Sequence, residues 1–210
     1  MNKIAASSLL FALAVGAGVS LGHAAPKSFD FKDPKGVNNV QFNLDAPLEA
    51  ISGSSTGISG TILFDPAKPA ATTGKIVIAT PTLSVGNPMM KDHLHSPGWL
   101  DVAKFPEITF EAVKVANAKT NGDTTTADVT GKLTIKGVTK EITVPVTFTY
   151  LAGKMGARIN KPELGGDLLV VRSKFSVNRS DFDIQPGKNL DKVAESIELN
   201  LSIAGASPAA

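Results

Sequence analysis

The 210-residue chain lacks cysteine, contains few aromatic residues and carries almost no net charge. Without cysteine, no disulfide scaffold can stabilise the fold, so its stability must come from packing and backbone pairing. The 21 basic and 19 acidic residues nearly cancel, and no run of five lysines and arginines occurs. Nucleic-acid binding requires a basic patch, so we expect no nucleic acid among the partners of this protein.

The start of the chain has the three parts of a secretory signal peptide. Met1–Lys3 is short and basic, Ile4–Leu21 is apolar or small throughout, and Gly22-His23-Ala24 supplies small residues at positions −3 and −1 of a cleavage site. We therefore expect cleavage after Ala24 and one exported domain formed by residues 25–210. The alternative is an uncleaved membrane anchor. It is disfavoured because the apolar stretch is rich in alanine and glycine and barely reaches the length that a bilayer requires.

The remainder of the chain alternates between apolar and polar residues with a period of two. The alternation is clearest from Ile142 to Tyr150 and from Ile197 to Ile203, and Val40–Leu44 shows it over a shorter stretch. Such alternation places one face of each strand on a core and the other in water. It predicts eight to ten antiparallel strands and no long helix.

Local signals indicate where these strands turn or are interrupted. Lys136-Gly137 separates two strong strand patterns and predicts a tight hairpin. The alternation changes phase near Ala112, as it does at a β-bulge. Pro145 has no amide hydrogen to donate, so its strand is expected to be an edge at that point or to carry a bulge.

Residues 89–106 do not alternate and predict a short helical insertion. Asp92 is placed to cap a turn over His93–Ser96, and a second turn over Trp99–Lys104 would end before Pro106. The chain is thus expected to form an all-β domain with one helical insertion.

A sandwich, a closed barrel and an outer-membrane barrel all satisfy this pattern of strands. An outer-membrane barrel needs two girdles of aromatic side chains, which one Trp and one Tyr cannot supply. Full closure removes exposed strand edges, which suits long regular strands such as residues 141–150.

Catalytic signals in the sequence are weak. Gly53–Gly57 matches the G-x-S-x-G pattern around Ser55, but a nucleophile elbow needs a following helix, and a new strand pattern begins at Ile58. We interpret this stretch as a loop. No convincing nucleophile–base pair is present, so we do not expect an enzyme.

His93 and His95 are the strongest candidates for a metal site, since Asp181–Asp183 lacks the further ligands and the glycine of a calcium loop. With Asp92 and two methionines nearby, they form a set that zinc or copper accepts. Residues two apart on a helical turn point in different directions, however, so the two imidazoles would not share a ligand face. The alternative is that His93 hydrogen-bonds within the insertion while His95 faces solvent.

Four segments occur in an order that is specific in combination. They are Gly60–Pro66, Asp92–Phe110 with its Asp-His-Leu and Trp-Leu-Asp-Val motifs, Gly131–Lys140, and Phe175–Phe182 with its Arg-Ser-Asp-Phe motif. Together they resemble the YceI-like family of polyisoprenoid-binding, lipocalin-like periplasmic proteins. The resemblance extends over nearly all of the expected mature chain, from about Phe29 to Ala204.

The resemblance implies an extended antiparallel barrel of eight or slightly more strands with a short helical insertion. It also implies a periplasmic binding or carrier protein, without cofactor or metal, that holds a polyisoprenoid, another long-chain lipid or a quinone-like molecule in an apolar cavity. A homodimer is a further expectation. A metal-binding protein that uses His93 and His95 is the alternative function.

Candidate ligand contacts follow from this expected architecture. Apolar side chains of the barrel and the insertion are expected to line the cavity or its portal: Phe42, Ile78, Met89, Met90, Leu94, Trp99, Phe105, Phe110, Phe148 and Phe175. The methionines suit a portal because their flexible side chains adapt to a flexible ligand. Asp92, His93 and Arg179 are expected to meet a polar head group at the mouth.

Overall fold

A computed structural model describes residues 25–209; the predicted signal peptide, residues 1–24, lies outside the described residues. The described chain forms eleven strands and two short α-helices, bounded as follows: β1 Lys27–Asp30, β2 Asn39–Asp45, β3 Ala50–Ser55, β4 Ile58–Phe64, β5 Thr73–Ala79, β6 Ser84–Val85, α1 Pro88–His95, β7 Glu107–Asn121, β8 Thr124–Ile135, β9 Val138–Leu151, α2 Met155–Arg158, β10 Asp167–Asn178 and β11 Ser196–Ser207. Among these residues, no helix has the length and apolar character needed to span a membrane.

Eight antiparallel strands close into a barrel in the order β1-β4-β5-β7-β8-β9-β10-β11. The closure joins β1 to β11, where Asp30 pairs with Ala206. Further along the same edge of β11, β2 pairs over Glu198–Ser202 and carries β3 and the two-residue β6. The expected fold class, an all-β antiparallel barrel with extra strands and a short helical insertion, is therefore confirmed.

Two predicted features of strands β7 to β9 are present in the structure. Ile135 pairs with Val138, so Lys136-Gly137 is a two-residue turn, and both residues have the positive φ (49° and 77°) of a hairpin with a right-handed twist. The register of β7 on β8 shifts between Ala112 and Lys114, which is the predicted bulge. A second shift between Ala116 and Lys119 was not indicated by the sequence.

Pro145 lies where strand β9 loses one of its two neighbours. On one side it pairs with Asp128 of β8 in an unshifted register, so no bulge forms there. On the other side, the last residue of β9 that pairs with β10 is Val146, opposite Ser173, so Pro145 has no partner on β10. Of the two predicted explanations for this proline, the structure shows the local edge.

Helix α1 is capped by Asn87, five residues before the predicted cap Asp92. The side chain of Asn87 accepts hydrogen bonds from the amides of Met89 (2.9 Å) and Met90 (3.3 Å), and Pro88 occupies the first helical position. The prediction that Asp92 caps a turn over His93–Ser96 is therefore wrong. Asn-Pro is the stronger start signal because it supplies both an acceptor and a preset φ.

The interior contains two apolar clusters that together run the length of the barrel. One is built around Phe29, Phe64 and Phe148, and the rings of Phe64 and Phe148 stack with their centroids 5.4 Å apart. The other connects the extra strands β2 and β3 with the insertion and with the segment after β10. Its buried residues include Phe42, Leu100, Leu133, Phe182 and Ile184. The insertion thus packs onto the barrel instead of extending into solvent.

A polar cluster ties strands β1, β9 and β10 together. Lys27 forms an ion pair with Asp167, and Asp167 also accepts hydrogen bonds from the Tyr150 hydroxyl and the Gly153 amide, each at 2.8 Å. Burial alone would raise the pKa of Asp167, but these hydrogen bonds outweigh burial and lower the pKa below its usual 3.8. The ionised carboxylate therefore stabilises the closed barrel.

We expect the Asp167→Asn substitution to lower the free energy of unfolding at pH 7 by about 1–2 kcal/mol, because it removes a charged acceptor of three hydrogen bonds. A carboxyl with a lowered pKa stabilises the fold above its unfolded pKa, and this contribution disappears as the pH falls through the folded value. The wild type should therefore lose more stability than the variant as the pH drops below 3.8.

Unfolding followed by circular dichroism between pH 7 and pH 3 measures both effects. The matched control is Asp123→Asn, at an exposed carboxyl in the β7–β8 turn, which should follow the wild-type curve. Parallel curves for wild type and Asp167→Asn would contradict the assigned role of Asp167.

Candidate functional site

The barrel encloses a cavity of about 220 Å³. Residues from β2, β4, β5 and β7 to β11 line it, together with Leu94, Trp99 and Leu100 of the insertion and Leu83 just before β6. Because one face of every barrel strand is apolar, alternate residues point inward and outline the space, for example Val144, Val146 and Phe148 of β9. Eight strands form about the smallest barrel that can hold a ligand instead of being filled by its own side chains.

The cavity wall offers almost no polar group to a ligand. Its polar side chains are Thr72, Thr73, Ser173 and Arg179. The hydroxyls of Thr72 and Ser173 donate to the carbonyls of Pro69 (2.7 Å) and Pro145 (2.6 Å). Within residues 25–209, every buried side-chain nitrogen or oxygen has a hydrogen-bond partner. An occupant of this cavity would therefore be held by apolar contact.

Two aromatic side chains of the wall are positioned by glycines. The ring of Phe42 lies across Gly53, its direct partner on β3, and the ring of Phe110 lies across Gly131 on β8. A Cβ at either glycine would collide with the ring. These glycines therefore set how far the two rings project into the cavity.

Most of the apolar side chains predicted as ligand contacts line the cavity: Phe42, Ile78, Leu94, Trp99, Phe110, Phe148 and Phe175. Met89, Met90 and Phe105 do not. Met89 is 69% exposed on helix α1, and Phe105 packs over Gly137 in the β8–β9 turn. Contact with a ligand remains a prediction for all ten residues.

The three side chains predicted for a polar mouth do not come together. Asp92 and His93 are exposed on α1 and do not line the cavity. Arg179 does line it, yet it is completely buried and its guanidinium is already occupied. The sequence predicted a shared mouth because all three residues are charged or polar and lie in the motifs that resemble the family. The fold separates them.

Arg179 holds the segment that follows β10. Its Nε donates to the carbonyl of Ala194 (3.2 Å), Nη1 to those of Ile184 (2.9 Å) and Gln185, and Nη2 to those of Lys188 and Val193 (3.3 Å). All five N–H groups of the guanidinium are thereby used.

The charge of Arg179 is balanced in two ways. A carboxylate oxygen of Glu195 lies 3.8 Å from Nε, and the guanidinium carbon sits 6.0 Å from the ring centroid of Trp99. Since no donor is left for a ligand, the geometry gives Arg179 the role of fixing residues 184–194 against the cavity.

The two histidines of α1 adopt roles opposite to those predicted. Nε2 of His95 lies 2.7 Å from the carbonyl of Leu83, whereas the side chain of His93 is exposed. The prediction of a bonded His93 and a solvent-facing His95 is therefore wrong. In the part of the chain that the structure describes, no group of three or more His, Cys, Asp or Glu side chains is arranged to hold a metal ion.

Ser55, the centre of the G-x-S-x-G pattern, ends strand β3, so the prediction of a loop from Gly53 onward is wrong. Its hydroxyl is buried and lies 2.6 Å from that of Thr82, and β4 starts at Ile58 without an intervening helix. The strand–turn–helix geometry of a nucleophile elbow is absent from these residues.

The cavity residues that sequence reasoning missed include three that lie outside the strands, Leu83, Leu100 and Ile184. All three are buried and lie in turns or irregular segments, where no alternation marks the buried face. A single apolar residue in such a segment gives no directional signal, so only the folded chain identifies them.

Known proteins match this chain over most of its length. The family model of the YceI-like domain matches residues 33–204. A UPF0312 protein of Pseudomonas savastanoi pv. phaseolicola is 34% identical over 156 residues, which cover 74% of this chain and 73% of that protein. A UPF0312 protein of Yersinia pestis is 33% identical over 153 residues, covering 73% and 72%.

Solved structures share the fold at lower sequence identity. Burkholderia cenocepacia BcnA superposes with a TM-score of 0.65 at 24% identity, covering 80% of this chain and 95% of that one. A polyisoprenoid binding domain from Saccharophagus degradans, implicated in plant cell wall breakdown, gives a TM-score of 0.63 at 11% identity, covering 87% and 99%.

We expect Arg179→Met to lower the free energy of unfolding by about 3 kcal/mol or more, because it leaves several buried carbonyl oxygens without a hydrogen-bond donor. The matched control is Arg172→Met, at an exposed arginine of the preceding strand β10, for which we expect a change within about 0.5 kcal/mol. Chemical denaturation of both variants measures the difference. Equal stability of the two variants would show that Arg179 does not hold the segment after β10.

Proposed function

Because the chain belongs to the YceI-like family, we propose that it binds a polyisoprenoid or another long-chain lipid in the cavity of its barrel. The observation that carries this proposal is the wall of the cavity, which is apolar apart from four side chains, and every buried side-chain nitrogen or oxygen in residues 25–209 already has a hydrogen-bond partner. Such a wall favours a ligand that gains free energy by leaving water, and it offers little to a polar metabolite.

Burial of an apolar chain can supply enough free energy to bind a lipid without a charged group or a metal ion in the site. Burial of one methylene group is worth about 0.8 kcal/mol. About ten buried methylenes would thus supply a gross stabilisation of about 8 kcal/mol, before the cost of immobilising the ligand. A linear chain is the shape that reaches this number inside a narrow barrel.

The structural neighbours support a lipid as the ligand. The Saccharophagus degradans protein is described as a polyisoprenoid binding domain and shares this fold. A quinone-like molecule with an isoprenoid tail presents the same apolar chain, and we include it among the proposed ligands. We further propose that the protein sequesters or carries the lipid without transforming it and that it acts as a homodimer.

The first test is direct identification of a bound lipid. Protein purified without detergent would be analysed by native mass spectrometry and by organic extraction followed by mass spectrometry. A co-purifying chain lipid supports the proposal. Repeated absence of any apolar ligand, together with failure to take up added geranylgeraniol, would overturn it. The same native spectra report whether the protein is a dimer.

We expect Val144→Phe to weaken lipid binding by about tenfold or more, because the larger side chain occupies space that the ligand needs. Val144 is buried and points into the cavity, whereas the neighbouring Thr143 points outward. Thr143→Phe is therefore the matched control and should bind like the wild type. Titration with geranylgeraniol, followed by the fluorescence of the single Trp99 in the cavity wall, measures the affinities.

Folding of these two variants is checked separately, since overpacking a core can cost about 1–3 kcal/mol. If Val144→Phe unfolds, the smaller Val144→Leu is compared with the wild type. Unchanged affinity in a folded variant that fills the cavity would exclude the barrel interior as the binding site.

We also propose that the protein acts in the periplasm after removal of residues 1–24. Expression of the full chain in a Gram-negative bacterium should yield a periplasmic product whose first residue is Ala25, as measured by intact mass and N-terminal sequencing. Replacing Ala24 by Tyr, which does not fit the small −1 pocket of signal peptidase, should retain the longer chain. A full-length cytoplasmic product from the wild-type sequence would contradict this proposal.

A further inference from the structure

The barrel wall has a gap between strands β9 and β10. Their pairing runs from Leu151–Leu168 to Val146–Ser173 and then stops. Beyond that point residues 138–145 of β9 pair only with β8, and residues 174–178 of β10 pair only with β11. The far end of the gap is bridged by Lys136, whose Nζ donates to the carbonyl of Asp183 (3.1 Å).

Local chemistry explains why the pairing stops there. Pro145 has no amide hydrogen, so it cannot donate to β10. The Ser173 hydroxyl instead donates to the carbonyl of Pro145 at 2.6 Å, which satisfies that acceptor without extending the strand pairing. The two edges are therefore free to separate beyond this residue.

A second depression, of about 650 Å³, lies on the outer surface at the start of this gap. Its wall includes outward side chains of five neighbouring strands: Asn117, Lys119, Thr126, Asp128, Thr147, Arg172, Lys174 and Asn200. Val146 and Ser173 belong to the walls of both this groove and the interior cavity. The groove and the cavity are thus separated by a single pair of residues.

The groove carries a positive charge. It contains Lys119, Arg172 and Lys174 against a single acid, Asp128, which accepts a hydrogen bond from Asn117 (2.7 Å). Lys174 pairs with Glu198 at 3.1 Å, whereas Lys119 and Arg172 form no ion pair with any residue from 25 to 209. An arginine fork and a lysine without a carboxylate partner are suited to bind an anionic oxygen group.

We infer that the β9–β10 gap is a lateral entrance, and that the groove outside it binds the anionic head of an amphiphile whose chain enters the cavity. This inference rests on the proposed function and specifies the ligand as a chain lipid with a phosphate head group. Arg172 and Lys119 contact the head, and the chain passes between the unpaired edges next to Pro145.

Paired ligands that differ only in the head group test the groove. The wild type, titrated at low ionic strength through Trp99 fluorescence, should bind geranylgeranyl phosphate about tenfold more tightly than geranylgeraniol. In the double variant Lys119→Gln, Arg172→Gln, this preference should fall to within about twofold, while the affinity for the alcohol stays unchanged. The matched control is Lys132→Gln, an exposed lysine of β8 outside the groove.

The possible outcomes separate the inference from the proposed function. If the alcohol binds but the preference for phosphate is absent, or persists in the double variant, the groove is not the head-group site and the proposed function stands. If inorganic phosphate alone displaces geranylgeranyl phosphate at similar concentration, the groove is a free-anion site and the inference is wrong. If neither lipid binds, the proposed function itself fails.

Blocking the gap tests the passage. The chain contains no cysteine, so Lys174→Cys gives a unique thiol beside the gap, and Lys132→Cys gives an exposed control. A bulky maleimide on the first should slow both association and dissociation of geranylgeraniol by about tenfold with an unchanged equilibrium affinity, since a barrier alters rates and not free energies. Equal stopped-flow rates in the two labelled proteins would place the entrance elsewhere.

Discussion

The structure depends on one constraint: every long strand has an apolar face that must be removed from water. Strands β7 to β11 have 12 to 15 residues each, and their alternating faces can be covered together only if the sheet curls on itself. Closure between β1 and β11 achieves this and leaves a space that the side chains do not fill. The apolar cavity is therefore a direct result of the same alternation that forms the strands.

Much of this architecture could be predicted, because the alternation of apolar and polar residues identifies each strand and also shows which of its faces is buried. It identified β9 and β11, and its change of phase located the bulge at Ala112. Two-residue turn chemistry located the hairpin at Lys136-Gly137. The resemblance to the YceI-like family added barrel closure, which alternation alone does not distinguish from a sandwich, and the family is confirmed by the match over residues 33–204.

The candidate site could be predicted only where strands supply it. Phe42 and Phe148 were placed in the cavity wall because their strands alternate, whereas Met89, in the helix that Asn87 caps, faces solvent. Arg179 shows a second limit. Its partners are backbone carbonyls, which every residue possesses, so no sequence pattern could have shown that its charge is used within the protein.

The position of β1 has a consequence for how the chain is made. This four-residue strand closes the barrel by joining β4 to β11, which ends at Ser207, so the first and last strands must meet before any closed barrel exists. Contacts between such distant residues form late and slowly. A ribosome that has not yet released residues 196–207 therefore holds an open sheet, so the barrel and its cavity can form only after synthesis of β11 is complete.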